Sequence, residues 1–448
     1  MKINSALGKL LCICIIGFAS CKKDVLEQRF SNAQSQEKFA ASISDTDNYI
    51  ATSWMDFQLR IIPHITTYVP PVASRTFAYT GVTMYEIMVN GAPGHSSLAG
   101  QLNGLTSLPK PDGLLTYRWS VACNAAMAHI TRYMFDVAST SDLASLDSLE
   151  NANNILLGAD GSDEFNRSAA YGIALTDSII AWSLADKGDH GYKKVFPSKY
   201  TPPVGPEYWI PTIVQNAKPI VPFWGNNGTF IKNIAKQTQP VGPLTYSELN
   251  TSDYYQAAND VYTTGVNLTE EEKNIADFWD DPGNSITPPG HSISILTQLI
   301  KERNLSLFES SRAYARLGMA LSDAFVSCWK TKFTYTAVRP WTYINKLIDS
   351  TWKPYIPTPP HPEFSSGHAV QSAATVTILN ALFGNNTSFT DNTYGALYGG
   401  PRTFANFTAF GDEVALARYY GGIHYYRSCT VGLQQGQAVA KKILRLNM

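Results

Sequence analysis

Three short elements in the C-terminal third hold the side chains needed to surround a small oxyanion: Lys332-x6-Arg339-Pro340, Ser366-Gly367-His368 and Arg418-x5-His424. Each alone is weak, because a Lys and an Arg seven residues apart on a helix usually form a solvated face. Their order and co-occurrence are far more specific. Arg339 and Arg418 offer planar two-pronged donors, Lys332 a point charge, Ser366 a hydroxyl and Gly367 an amide unobstructed by a side chain. Of the two histidines, one can bond to the central atom of a tetrahedral or trigonal-bipyramidal oxyanion while the other moves protons on the opposite side.

Such residues need rigid supports. Apolar residues recur at three- and four-residue spacing over 72–90, 114–138, 163–186, 271–281, 291–302, 306–333, 365–383 and 411–444, which predicts helices. Strand-like alternation is scarce. Ser162-Asp163 and Thr269-Glu270 carry N-cap chemistry, and Gly188 and Gly384 suit helix ends. The pattern predicts an all-α helical-bundle fold. Its long loops, 188–229 and 349–364, are thick with Pro, Gly, Tyr and Trp, and long ordered loops usually line sites. With no internal repeat and no charge block, residues 38–448 read as one integrated helical domain with its active site within 329–428.

Composition bounds the rest. In 448 residues, 44% are hydrophobic and the formal net charge is −1. That excludes disorder for the bulk of the chain, and the lack of a basic excess argues against nucleic-acid binding. Lys2 and Lys9, an apolar run from Leu10 to Phe18, and the small residues Ala19-Ser20 before Cys21 resemble a bacterial lipoprotein signal. Residues 1–20 are then a leader, Cys21 the lipidated residue and 21–37 a tether, which places the chain at the cell envelope on a lipid anchor. No later stretch is apolar enough to cross a membrane. Cys123, Cys328 and Cys429 remain in the body; an odd count without C-x-x-C gives neither a disulfide framework nor a zinc site, and all three read as buried small hydrophobes.

The three motifs together resemble those of vanadium-dependent haloperoxidases and the related type 2 phosphatidic acid phosphatases. The flanks resemble the peroxidase branch: Pro71 to Glu86, Phe278-Trp279 followed by Thr287-Pro288-Pro289-Gly290, and Asp323 to Lys332. The resemblance implies two packed four-helix bundles and a vanadate cofactor. Lys332, Arg339, Ser366, Gly367 and Arg418 would hydrogen-bond the vanadate oxygens, His424 would be the axial ligand to vanadium, and His368 the acid–base residue. The implied substrates are hydrogen peroxide and a halide. His361, seven residues before His368, stands where chloride-oxidising members typically have Phe and bromide-oxidising members His. Ser365 replaces the Pro of Pro-Ser-Gly-His, as in similar bacterial iodide-oxidising enzymes. Iodide is therefore the first expectation and bromide the second, with Trp329 beside the halide pocket or simply in the core.

Two departures stand out. The family pattern continues His-x3-Asp, but Ser428 occupies that position, where it could accept from the His424 ring. Its loss weakens the alternative of an acid phosphatase with His424 as nucleophile more than it weakens the peroxidase. An acidic partner for Arg339 or Arg418 is expected from Asp280 or Asp281, with Asp281 slightly favoured. A divalent-metal reading of His361, Glu363 and His368 matches no zinc spacing. Of the scattered histidines, His291 in Pro-Pro-Gly-His is the one expected near the pocket. A surface-tethered binding protein with a vestigial pocket would not need the complete set of motif residues. Nothing in the sequence locates an oligomer interface.

Overall fold

A computed structural model describes residues 48–212 and 218–448. The leader, Cys21 and the tether lie outside the described residues. Five helices fill the first part: α1 (Tyr49–Ile61), α2 (Pro70–Met88), α3 (Trp119–Met134), α4 (Thr140–Leu156) and α5 (Asp163–Ser183). After a long loop come α6 (Ile234–Gln237), α7 (Asp253–Val266), α8 (Glu270–Phe278), α9 (Thr287–Arg303), α10 (Leu307–Tyr335), α11 (Pro340–Leu347) and α12 (Gly367–Phe383). A short antiparallel hairpin, β1 (Phe389–Asp391) and β2 (Arg402–Phe404), precedes α13 (Phe407–Tyr420) and α14 (Tyr426–Ile443). The all-α expectation holds, and no described helix is long and apolar enough to cross a membrane.

Local chemistry starts these helices where the sequence says it should. Ser162 accepts from the amide of Phe165, and Thr269–Glu272 and Ser306–Glu309 close reciprocal capping boxes. Each cap satisfies orphan amides and contributes about 1 kcal/mol.

α10 organises the fold. Its 29 residues span roughly 43 Å at 1.5 Å per residue. Along one side it packs on α2, which in turn contacts α3, itself paired with α5; along the other it packs on α12 and α14, which meet α13. The two helical groups thus share α10. Its crossing with α2 requires bare backbone: a Cβ at Gly318 would sit 2.7 Å from the Phe77 carbonyl oxygen, and one at Gly81 2.6 Å from that of Tyr314. The α12–α14 contact is tighter still, because a Cβ at Gly436 would fall 1.8 Å from the Val370 carbonyl oxygen. Gly436→Ala is therefore expected to push α14 off α12 and cost about 3 kcal/mol, read as a lowered midpoint of thermal unfolding. A midpoint within 1 °C of the parent would contradict this packing.

The structure corrects the helix map in places. The predicted helix 411–444 is two helices, broken at 421–425, where Gly422 takes φ 75°. α5 stops at Ser183, and the left-handed residue after it is Lys187 rather than Gly188. α1, α4, α6, α7, α11 and the hairpin escape the periodicity. In α4 the buried positions include Asp142 and Asn153 beside Leu146 and Leu149, so polar residues interrupt its apolar seam.

Candidate active site

Lys332 lies in the last turn of α10, and its chain is fully buried. Nζ donates to the carbonyls of Pro362 (2.9 Å) and Glu363 (3.0 Å). Burial, reinforced by the Arg339 charge, pushes its pKa down to about 7.

Arg339 caps α11 and is also fully buried. Residues 207–209 pin the segment before it, with Trp209 N donating to Thr336 O and Val338 N to Glu207 O, and Ile220 N donates to Pro360 O just before His361. Its guanidinium donates to His361 O (3.0 Å), Ile423 O (2.7 Å) and the Nδ1 of His361 (3.0 Å), and faces the Nε2 of His424 at 3.2 Å. Burial lowers its pKa to about 10.

Ser366 caps α12, accepting from Ala369 N, so Gly367 and His368 begin that helix. A helix N-terminus is a ready anion site. A Cβ at Gly367 would meet only the Trp329 ring, at 3.7 Å, so the space beside its backbone is open. Gly367 and His368 are half-buried, whereas Lys332, Arg339, Ser366, Arg418 and His424 are buried, which puts the opening at the α12 end.

Arg418, in the last turn of α13, donates to Trp279 O (2.7 Å) and pairs with Asp280 (3.7 Å), while its Nε is buried without a partner. The acidic partner is thus Asp280, not Asp281 as favoured from sequence. Asp281 turns instead toward His291 (3.0 Å) and His368 (3.9 Å). Side-chain direction at adjacent loop positions depends on backbone dihedrals that spacing does not encode.

His424 sits in the break between α13 and α14. Its Nδ1 is 2.8 Å from Glu363 Oε1, and Glu363 also accepts from Tyr425 N (3.2 Å) and the Ser428 hydroxyl (2.8 Å). A carboxylate only accepts, so Nδ1 carries the proton and Nε2 is the lone-pair nitrogen, which faces the Arg339 guanidinium. The expectation that Ser428 accepts from this ring is corrected: Ser428 donates to Glu363, and Glu363 supplies the carboxylate that Ser428 displaces from the His-x3-Asp position. The missing Asp therefore no longer separates peroxidase from phosphatase. Glu363 is the functional residue that sequence reasoning missed. The only signal was a charged residue inside the Pro-rich loop before Ser-Ser-Gly-His. Burial raises its pKa to about 6 against the pull of Arg339 and Lys332.

His361 packs on Trp329, ring centroids 5.1 Å apart, and Trp329 Nε1 donates to Ile220 O. The Pro362 carbonyl, 3.2 Å from His361 Nδ1, can only accept and the Arg339 guanidinium can only donate, and the contact to Arg339 is the shorter (3.0 Å) and the charge-assisted one. Nδ1 therefore accepts, and the neutral ring carries its proton on Nε2. Burial first, then the neighbouring cations, hold His361, His368 and His424 well below the usual histidine range.

Three buried cations, a helix N-terminus with an open amide, a neutral imidazole lone pair and the unpartnered Arg418 Nε fit an anionic oxide. No group of three His, Cys, Asp or Glu able to cage a cation occurs among the described residues. His361 and Glu363 are taken by Arg339 and His424, which removes the divalent-metal reading. His64, His129 and His190 pair with Asp142, Asp177 and Asp189 away from this site.

Residues 312–448 match the family model for the VCPO second helical-bundle domain. A bacterial vanadium-dependent iodoperoxidase of known structure superposes with a TM-score of 0.83 at 33% identity, over 91% of this chain and 98% of that one. The chain belongs to the vanadium-dependent haloperoxidase family. Apo and holo structures of a bacterial vanadium-dependent chloroperoxidase share the fold at 17% and 16% identity, with TM-scores of 0.67 and 0.65. They cover 90% and 92% of this chain and 98% and 94% of theirs. No curated protein matches the chain. As a vanadium-dependent haloperoxidase the chain is an enzyme whose cofactor is vanadate, and nothing favours the phosphatase alternative.

Proposed function

We propose that this haloperoxidase oxidises iodide with hydrogen peroxide, bromide being its second substrate. The observation that carries the choice of iodide is the 33% identity to an iodoperoxidase over nearly the whole of both chains. His361, neutral and proton-bearing at Nε2 beside Trp329, supports it, since a polarisable anion can lie against an aromatic wall with one N–H donor.

On this reading, Lys332, Arg339 and Arg418 would hold vanadate by its oxygens together with Ser366 and the Gly367 amide, and His424 Nε2 would bind the vanadium. Bound vanadate supplies a Lewis-acidic centre that makes peroxide electrophilic toward halide. The residues do the rest. Lys332 and the two arginines keep positive charge where oxyanion charge grows, in a pocket from which burial excludes water. Glu363 holds the His424 ring in the tautomer that presents its lone pair. His368, half-open at the pocket mouth, takes the peroxide proton and returns one to the leaving oxygen.

The test uses recombinant residues 22–448 with and without orthovanadate, given peroxide and iodide or bromide. Vanadate-dependent oxidation with a higher kcat/KM for iodide is expected, and a higher value for bromide overturns the halide choice. Phosphate-ester turnover inhibited by vanadate, without halide oxidation, selects the phosphatase instead. His361→Phe keeps the ring against Trp329 but removes the donor. It is expected to lower kcat/KM for iodide about tenfold. The envelope location rests on Cys21 alone, and Cys21→Ser is expected to abolish lipid labelling in cells.

A further inference from the structure

The Pro-Pro-Gly-His element leads to a buried chain of groups behind His368. The segment between α8 and α9 is strained at both ends, with φ 44° at Asp281 and φ 68° at Thr287, an uncommon conformation for a β-branched residue. It turns the Asp281 carboxylate back toward α9. There His291 lies between two carboxylates: Nδ1 is 3.0 Å from Asp281 Oδ1 and Nε2 is 2.7 Å from Asp391 Oδ2. Asp391 comes from β1, far from the three motifs, and all three residues are buried. A neutral imidazole has one N–H and cannot donate to both, so His291 is an imidazolium. Burial alone would lower its pKa, but Asp281 and Asp391 outweigh that and raise it to about 10. The Trp279 ring stacks on it at 4.7 Å.

Asp281 is not spent by this contact. Oδ1 also takes the Tyr394 hydroxyl, while Oδ2 is buried without a hydrogen-bond partner. It faces His368 Nε2 at 3.9 Å, and that nitrogen is likewise buried and unpartnered. The two atoms left unsatisfied are thus opposite one another.

We propose that Asp391, His291 and Asp281 form a positioning relay for His368, holding its proton on Nε2 so that Nδ1 is the basic nitrogen, with the His291 charge offsetting that of Asp281. This rests on His368 being the acid–base residue of the proposed reaction. The charged groups facing His368 are Arg418 on α13, Lys332 on α10, His291 on α9 and Asp281 in the strained segment. Without the His291 cation, Asp281 stands alone against the two remaining cations and draws a proton onto His368, which disables it as a base. Asp391 and His291 touch no reacting atom; their effect passes through Asp281.

The test is histidine-selective 15N labelling of vanadate-free protein and long-range 1H–15N correlation across pH. Wild type is expected to show His291 protonated on both nitrogens at pH 7 and His368 neutral with its proton on Nε2. Asp391→Asn removes one of the two anions and is expected to bring the His291 pKa down toward the ordinary range without raising that of His368. His291→Gln removes the cation itself and is expected to raise the His368 pKa by about one unit. In vanadate-loaded enzyme the acid limb of kcat/KM for peroxide should move up equally. A neutral His291 at pH 7 in wild type, or an unmoved His368 in His291→Gln, overturns the relay. The wild-type spectrum decides even if a variant does not fold. Absent halide oxidation with the NMR pattern intact sinks the peroxidase reading instead, so the two failures are distinguishable.

Discussion

His424→Ala is expected to abolish vanadate-dependent halide oxidation, lowering turnover by at least about a thousandfold. The ring is buried, its Nδ1 proton committed to Glu363 and its Nε2 lone pair turned to the pocket beside Arg339. What sets this ring apart from His361, which Arg339 also contacts, is the Glu363 carboxylate that fixes its tautomer, and His368 starts α12. In the variant, Glu363 keeps the Tyr425 amide and the Ser428 hydroxyl as partners, so the loss belongs to cofactor binding rather than to folding. Vanadate titration by calorimetry together with far-ultraviolet circular dichroism checks both. Retained turnover in a folded variant would show that His424 is not the ligand.

Glu363→Ala is expected to weaken vanadate binding about 100-fold and Glu363→Gln about tenfold, the range typical for partners that orient a metal-bound histidine. Two effects act in the same direction. Without the carboxylate, Nδ1–H loses the acceptor that fixes the tautomer and that, on the proposed reading, makes Nε2 a better donor to vanadium. The glutamate charge also raises the pKa of both Arg339 and Lys332, so its removal leaves Lys332 less protonated near neutral pH and the oxyanion less attracted. Gln keeps an acceptor for His424 but not the charge, which is why it should fall between wild type and Ala. The reading is the vanadate dissociation constant without peroxide. Equal affinities in all three proteins would show that Glu363 merely fills space.

The set proposed to hold vanadate was legible because it is short-range. Ser366, Gly367 and His368 are consecutive, and apolar spacing over 365–383 predicts the helix that presents them. Lys332 and Arg339 straddle a helix end announced by Arg339-Pro340. The groups that tune the site were not legible in this way. Glu363 reaches His424 across 61 residues and Asp391 reaches His291 across 100, and no periodicity links such pairs. Asp280 and Asp281 are neighbours in sequence, yet one pairs with Arg418 and the other with His291, a division made by the strained backbone between α8 and α9.

By itself the sequence determined a helical fold and a nest of cations for one small oxyanion, because helical periodicity, caps and hydrogen-bonding types are properties of residues and their near neighbours. Only the tertiary structure decided which nitrogen of each histidine carries its proton. That depends on which carboxylate or guanidinium packing brings within about 3 Å, and on the burial that makes such a contact decide a charge state.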